Sequence, residues 1–210
     1  MAGSTEVKIY KNPKKTVKAL AKEIYQLTKA SVLEPIHILL SGGNTPSLLF
    51  RKLATKYQAE IEWERVHFWW GDERCVSPES DQSNFKAAND LLLSAILIPA
   101  ENIHRIRGEE DPEKEAIRYS EEIKANLNFR GDSPVFDMVI LGLGEDGHTA
   151  SIFPDEIELF EDERICAVTS HPLSGQKRIT LTGKVLNNAN RIYFLVTGES
   201  KAQRIAEIMN

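Results

Sequence analysis

The sequence predicts an α/β protein in which a mostly parallel sheet carries helices on both faces. Three observations lead there. Apolar strand-like runs alternate with helical patterns along all 210 residues, and such alternation builds right-handed βαβ crossovers. Residues 136–141 are apolar apart from Asp137, as in a parallel strand covered on both faces. Four strand-like runs empty into polar or glycine-rich loops, residues 41–45, 71–74, 142–148 and 198–201. The carboxyl ends of parallel strands share one edge, so these loops can meet in one pocket.

Residues 7–10 read as a first strand. Asn12 before Pro13 is an N-cap with proline at the first helical position, and Val17, Leu20, Ala21, Ile24 and Leu27 keep helical spacing after it. Residues 36–40 form an apolar strand, 46–57 a helix, 66–70 a strand, 84–94 a helix and 103–106 a short strand. Asp111-Pro112 opens another helix, with Ala116, Tyr119, Ile123 and Leu127 on one face. After residues 136–141, the runs 165–169, 179–182 and 192–197 read as strands and 200–209 as a closing helix. There is no repeat, low-complexity tract or linker, so one domain over 1–210 is expected.

A net charge of −5 argues against nucleic acid as a main partner, which needs a basic face. No run approaches the roughly 18 apolar residues of a membrane helix, and residues 1–10 lack the apolar core of a leader peptide. A cytoplasmic protein with no membrane partner is expected. The two cysteines, Cys75 and Cys166, have neither metal-ligand spacing nor a disulfide framework, which suggests a reducing compartment.

The loops carry the chemistry. The segment 142–154, Gly-Leu-Gly-Glu-Asp-Gly-His-Thr-Ala-Ser-Ile-Phe-Pro, lets backbone approach a ligand closely. It delivers His148, a residue type able to exchange a proton near neutral pH, with Asp146 two residues before it. Residues 142–147 also match G-x-G-x-x-G, but Pro154 leaves too short a helix for a dinucleotide site. In residues 40–46, Gly42, Gly43, Asn44 and Thr45 precede Pro46 and present backbone N–H groups at a helix start, a ready anion site. This is not a Walker loop, because its glycine-lysine-hydroxyl ending is absent. Arg74 offers a planar fork for phosphate or carboxylate, and Asp72 a group for sugar hydroxyls or for orienting a base. Lys201 follows Gly198 at a helix start, where a cation opposes the helix dipole and makes more sense beside an anion. Arg178 is a further candidate cation. His37 and His67 lie within strand patterns and read as structural; His104 and His171 have no supporting constellation. No histidine pair has metal-ligand spacing, so no metal is expected. Ser41 and Ser151 lack a nucleophile elbow, which favours water activated by histidine over a covalent serine.

With these segments assembled, the chain resembles the 6-phosphogluconolactonases, the lactone-opening enzymes of the pentose phosphate pathway. The matching segments are residues 40–46, 70–76 with Ser83-Asn84, 142–154, 178–182 and 197–202. The resemblance implies a Rossmann-like fold without a dinucleotide, shared with glucosamine-6-phosphate deaminases and ribose-5-phosphate isomerases. It implies hydrolysis of 6-phospho-D-glucono-1,5-lactone without metal or cofactor, a small phosphosugar lactone as partner, and a monomer or weak homo-oligomer. By motif, His148 is the acid/base, with Asp146 or Asp72 orienting it. Gly42, Gly43, Asn44, Thr45, Asp72, Arg74, Arg178 and Lys201 line the substrate site. It also implies a further strand and helix after residue 210. The alternatives are a sugar-phosphate isomerase or deaminase on the same fold, and a non-catalytic phosphosugar-binding regulator. The deaminases share Asp-Gly-His but carry Met-Asp-Glu-Tyr where this chain has Gly71-Asp72-Glu73-Arg74, and they continue differently after the histidine.

Overall fold

A computed structural model describes residues 5–31 and 34–209. Helix α1 (Pro13–Ala30) starts where the Asn12 side chain accepts from the Lys15 N–H, and buries Val17, Leu20, Ala21 and Ile24. Strand β1 (Ile36–Leu40) leads to α2 (Asn44–Lys56), which begins two residues before the expected proline, with Gly43 at its N-cap. Strand β2 (Val66–Trp70) is followed by β3 (Asp72–Arg74), then α3 (Asn84–Leu91), β4 (Ile103–His104) and α4 (Pro112–Asn126). A small hairpin, β5 (Phe129–Arg130) and β6 (Ser133–Pro134), precedes β7 (Met138–Leu141). The chain ends through β8 (Cys166–Ser170), β9 (Lys177–Leu181), α5 (Gly183–Asn187), β10 (Ile192–Phe194) and α6 (Ala202–Met209).

The main sheet runs in the order β10-β7-β1-β2-β4 and every pair in it is parallel. Alternation divides its side chains between two helix layers. Trp70 meets Phe85 of α3 on one face, while Trp69 meets Tyr119 of α4 on the other. The Tyr119 hydroxyl, wholly buried, closes the gap between β2 and β4, accepting from the Trp70 N–H at 2.9 Å and donating to the Trp70 carbonyl at 3.1 Å. The chain moves outward from β1 through β2 to β4, then returns to place β7 and β10 on the other side. The switch point therefore lies between β1 and β7, where α/β sheets hold their ligands.

Three expectations are corrected. Residues 7–10 are not a strand; Val7 and Ile9 are exposed, and among the described residues no neighbouring strand supplies a ladder. Residues 72–74 are not a loop but β3, which pairs antiparallel with β9. The runs near 165–169 and 179–182 are not part of the parallel sheet. They are β8 and β9, in a separate antiparallel sheet of order β3-β9-β8. The reason is that only residues 171–176 link the two strands, turning as a hairpin with Gly175 at φ 66°; a parallel crossover needs a dozen or more residues.

Candidate active site

The four strand-end loops form a closed ring of contacts. Ser41 Oγ donates to the Ile140 carbonyl at 2.8 Å, tying β1 to β7 across the switch point. Thr45 and Thr197 hydroxyls lie 2.7 Å apart, joining the start of α2 to the loop after β10. Arg204 Nε on α6 donates to the Glu145 carbonyl at 3.0 Å, and Lys201 Nζ stands 4.0 Å from Glu145 Oε1. Ser151 Oγ donates to Asp72 Oδ2 at 2.7 Å, linking the histidine loop to β3. Gly42 packs so tightly on Asn84 that an added Cβ would lie 1.8 Å from Asn84 Oδ1. The four loops therefore share one rim.

The histidine loop is built by its glycines. Gly147 takes φ 97°, a left-handed turn that glycine adopts without penalty, and the Gly144 N–H donates to the His148 carbonyl at 2.7 Å. A Cβ on Gly144 would stand 2.2 Å from His148 Nδ1. The loop thus folds Asp146 back on the imidazole: Asp146 Oδ1 accepts from His148 N at 3.1 Å and lies 2.6 Å from Nδ1. Burial would raise the Asp146 carboxyl, but the backbone N–H and ring of His148 outweigh it and hold the group below its usual range. A carboxylate on Nδ1 keeps the proton there and leaves Nε2 as the acceptor. Of the two acids open at sequence level, Asp146 makes this bond. The Asp72 carboxylate instead accepts from Ser151 and, at 3.2 Å, from Asn84 Nδ2.

The wholly buried Phe153 ring supports the imidazole from below, at 4.9 Å between centroids, and also meets His171 at 5.3 Å and the Arg178 guanidinium at 5.6 Å. Ala150 makes the turn that aims Ser151 at Asp72, at φ 49°.

The cations come from the antiparallel sheet. Arg74 and Arg178 are direct partners in the β3–β9 ladder. Arg74 Nη1 donates to the Gln82 carbonyl at 2.6 Å and to Asn84 Oδ1 at 2.9 Å; Arg178 Nη1 lies 3.5 Å from Ser151 Oγ and 3.9 Å from Asp72 Oδ2. The Nε donors of both arginines are buried without a hydrogen-bond partner among the described residues. Burial and the neighbouring Arg74 charge push Arg178 below the usual arginine range, against the pull of Asp72 and Glu73. Two guanidinium groups paired in one ladder offer positive charge and N–H donors suited to an anion. Among the described residues, no group of three or more His, Cys, Asp or Glu side chains could hold a metal ion.

Glu73, Ser83, Asn84, Ser151 and Phe153 were not singled out as site residues by their sequence. All five lie within the matching segments 70–76, Ser83-Asn84 and 142–154, which is the available signal. His104, which has no constellation in sequence, is bonded to His67 and Glu122 and stacked on Trp69 at 3.8 Å, on the face of the sheet that meets α4.

A parallel sheet with its loops gathered over the β1–β7 switch point, an imidazole held by a carboxylate and paired arginines define a sugar-phosphate-binding α/β protein. The sequence profile of the glucosamine-6-phosphate isomerase/6-phosphogluconolactonase family matches residues 11–210, and the chain belongs to that family. A 6-phosphogluconolactonase from Haemophilus influenzae is 51% identical over 175 residues, 83% of this chain and 73% of its own length. The crystal structure of 6-phosphogluconolactonase from Thermotoga maritima superposes with a TM-score of 0.84 at 32% identity, covering 97% of this chain and 88% of that one. A monomeric glucosamine-6-phosphate deaminase superposes with a TM-score of 0.84 at 20% identity, over 98% of this chain and 87% of that one, and shares the fold. Among the described residues, no helix is long and apolar enough to cross a membrane.

Proposed function

We propose that this chain hydrolyses 6-phospho-D-glucono-1,5-lactone to 6-phospho-D-gluconate, with His148 as general base and then general acid. The observation that carries this reading is the pairing of a carboxylate-held imidazole with two arginines adjacent in the β3–β9 ladder, in a chain 51% identical to a 6-phosphogluconolactonase. Arg74 and Arg178 hold the phosphate, with Lys201 and the backbone N–H groups of Gly43, Asn44 and Thr45 closing the far side. His148 Nε2 takes a proton from water as its oxygen attacks C1. The tetrahedral intermediate then collapses, the C1–ring oxygen bond breaks, and the imidazolium returns that proton to the departing ring oxygen. General acid–base assistance of this kind is worth about 10² to 10⁴ in rate. Asp146 holds the tautomer and offsets the imidazolium charge; Asp72 orients Ser151 and Arg178 and faces the sugar hydroxyls.

The test is acid release in a pH-stat from freshly made 6-phosphogluconolactone, with ammonia release from glucosamine 6-phosphate measured in parallel. The reading requires lactone opening well above the spontaneous rate and no ammonia. The reverse result would assign the deaminase reaction instead.

A further inference from the structure

We propose that Glu73 is a positioning residue of the anion site: its buried carboxylate fixes Asn84, and Asn84 sets the Arg74 guanidinium and the Asp72 carboxylate. The proposal rests on the functional reading above, which takes Arg74 as a phosphate ligand.

Strand alternation explains the geometry. Asp72 and Arg74 lie on the site face of β3, and Glu73 between them points the other way, towards the start of α3. There it is almost wholly buried and meets four donors. Oε1 accepts from the Arg74 and Asn84 N–H groups, each at 2.8 Å; Oε2 accepts from the Phe85 N–H at 2.8 Å and from Ser83 Oγ at 3.0 Å. The carboxylate thereby clamps both the backbone of Arg74 and the first turn of α3.

Asn84 carries the clamp back to the site. Its Nδ2 donates to the Asp72 carbonyl at 2.9 Å and to Asp72 Oδ1 at 3.2 Å, while its Oδ1 accepts from Arg74 Nη1 at 2.9 Å. The same amide packs against Gly42, so it is shared by two of the four converging segments, 41–45 and 71–74. All four partners of Glu73 are donors, and only an acceptor-only group satisfies them; a glutamine would set its own N–H₂ against one. Burial raises the Glu73 carboxyl above its usual range, against the backbone N–H groups of Asn84, Phe85 and Arg74 that stabilise its charge.

A residue that merely capped α3 would change the amount of folded enzyme. A positioning residue changes substrate affinity at constant turnover per folded molecule. For Glu73→Gln, KM for the lactone rises by about tenfold or more while kcat per folded molecule stays within about threefold. Asn84→Ala keeps the Glu73 bonds to backbone and Ser83, removes the link to Arg74, and shows the same KM-against-kcat split. An unchanged KM, with kcat per total protein falling in step with the folded fraction, overturns the proposal. If Glu73→Gln does not fold, Asn84→Ala decides: an unchanged KM there overturns it. If the wild-type protein opens no lactone, the functional reading fails by itself. Calorimetric affinity for inorganic phosphate then tests the positioning claim, which requires weakening in both variants and is overturned by equal affinity.

Discussion

At the residue scale, the site depends on a few short polar contacts. The 2.6 Å contact between Asp146 and His148 Nδ1 is a hydrogen bond to a charged group, worth about 1.5–3 kcal/mol. Asp146→Asn should therefore lower kcat by roughly 10- to 100-fold with little change in KM; steady-state kinetics on the purified variant checks this. Arg178→Met keeps an unbranched apolar stem but removes the guanidinium, and should raise KM by about 10- to 100-fold with kcat far less affected. An unchanged KM would remove Arg178 from the phosphate site. His148, Arg74 and Lys201 were legible in sequence because their residue types stand out in glycine-rich loops. Ser151 was not: it lacks any nucleophile motif, and its bond to Asp72 spans 79 positions, a pairing that local pattern does not encode. Choosing Asp146 over Asp72 also needed the backbone path, because it depends on the loop folding back at Gly144.

At the scale of elements, the loops work only because glycines let backbone and side chain share the same space. Gly144→Ala places a Cβ 2.2 Å from His148 Nδ1 and 2.4 Å from Asp146 Oδ1, so the pair must separate. We expect kcat to fall by about as much as in Asp146→Asn, with the thermal midpoint shifted by only about 2 °C because the loop is at the surface. A normal kcat would show that the pair is not needed. The parallel strands and main helices were readable from apolar periodicity and the caps at Asn12 and Asp111. Strand β3 was not, because Asp72-Glu73-Arg74 carries no apolar alternation. Its polar side chains are buried by partners from α3 and β9 rather than by hydrophobic packing, a tertiary override of local propensity.

At the scale of the whole molecule, a histidine array lines the face of the parallel sheet that meets α4. His37 accepts from Trp69 Nε1 at 3.1 Å and stacks near His67, which is bonded to His104. Burial, then the neighbouring His67 and His104, pulls His37 down to about 4, and burial followed by His104 also lowers His67. A histidine lowered in the folded state leaves the unfolded chain binding more protons between the two values. The stability His37 contributes is therefore present above the unfolded value near 6.5 and is lost as pH falls from about 6.5 towards 4, by roughly 2–3 kcal/mol. Thermal melts at pH 7 and pH 5 should show a lower midpoint at pH 5, and His37→Gln should flatten that difference; an unflattened one removes His37 as its source. The layering was legible from strand–helix alternation, whereas the turn of β8 and β9 into a second sheet had its signal in the short link 171–176, with Pro172 and Gly175, which alternation alone does not read. That second sheet brings Arg178 beside Arg74, so in the proposed reaction anchoring of the phosphate is a task separate from proton transfer at the imidazole. The separation is tested most directly by His148→Asn, measuring kcat for lactone opening and calorimetric affinity for 6-phosphogluconate on the same preparation. The account predicts a kcat about 10² to 10⁴ lower with affinity within about threefold of wild type; near-normal turnover would contradict it.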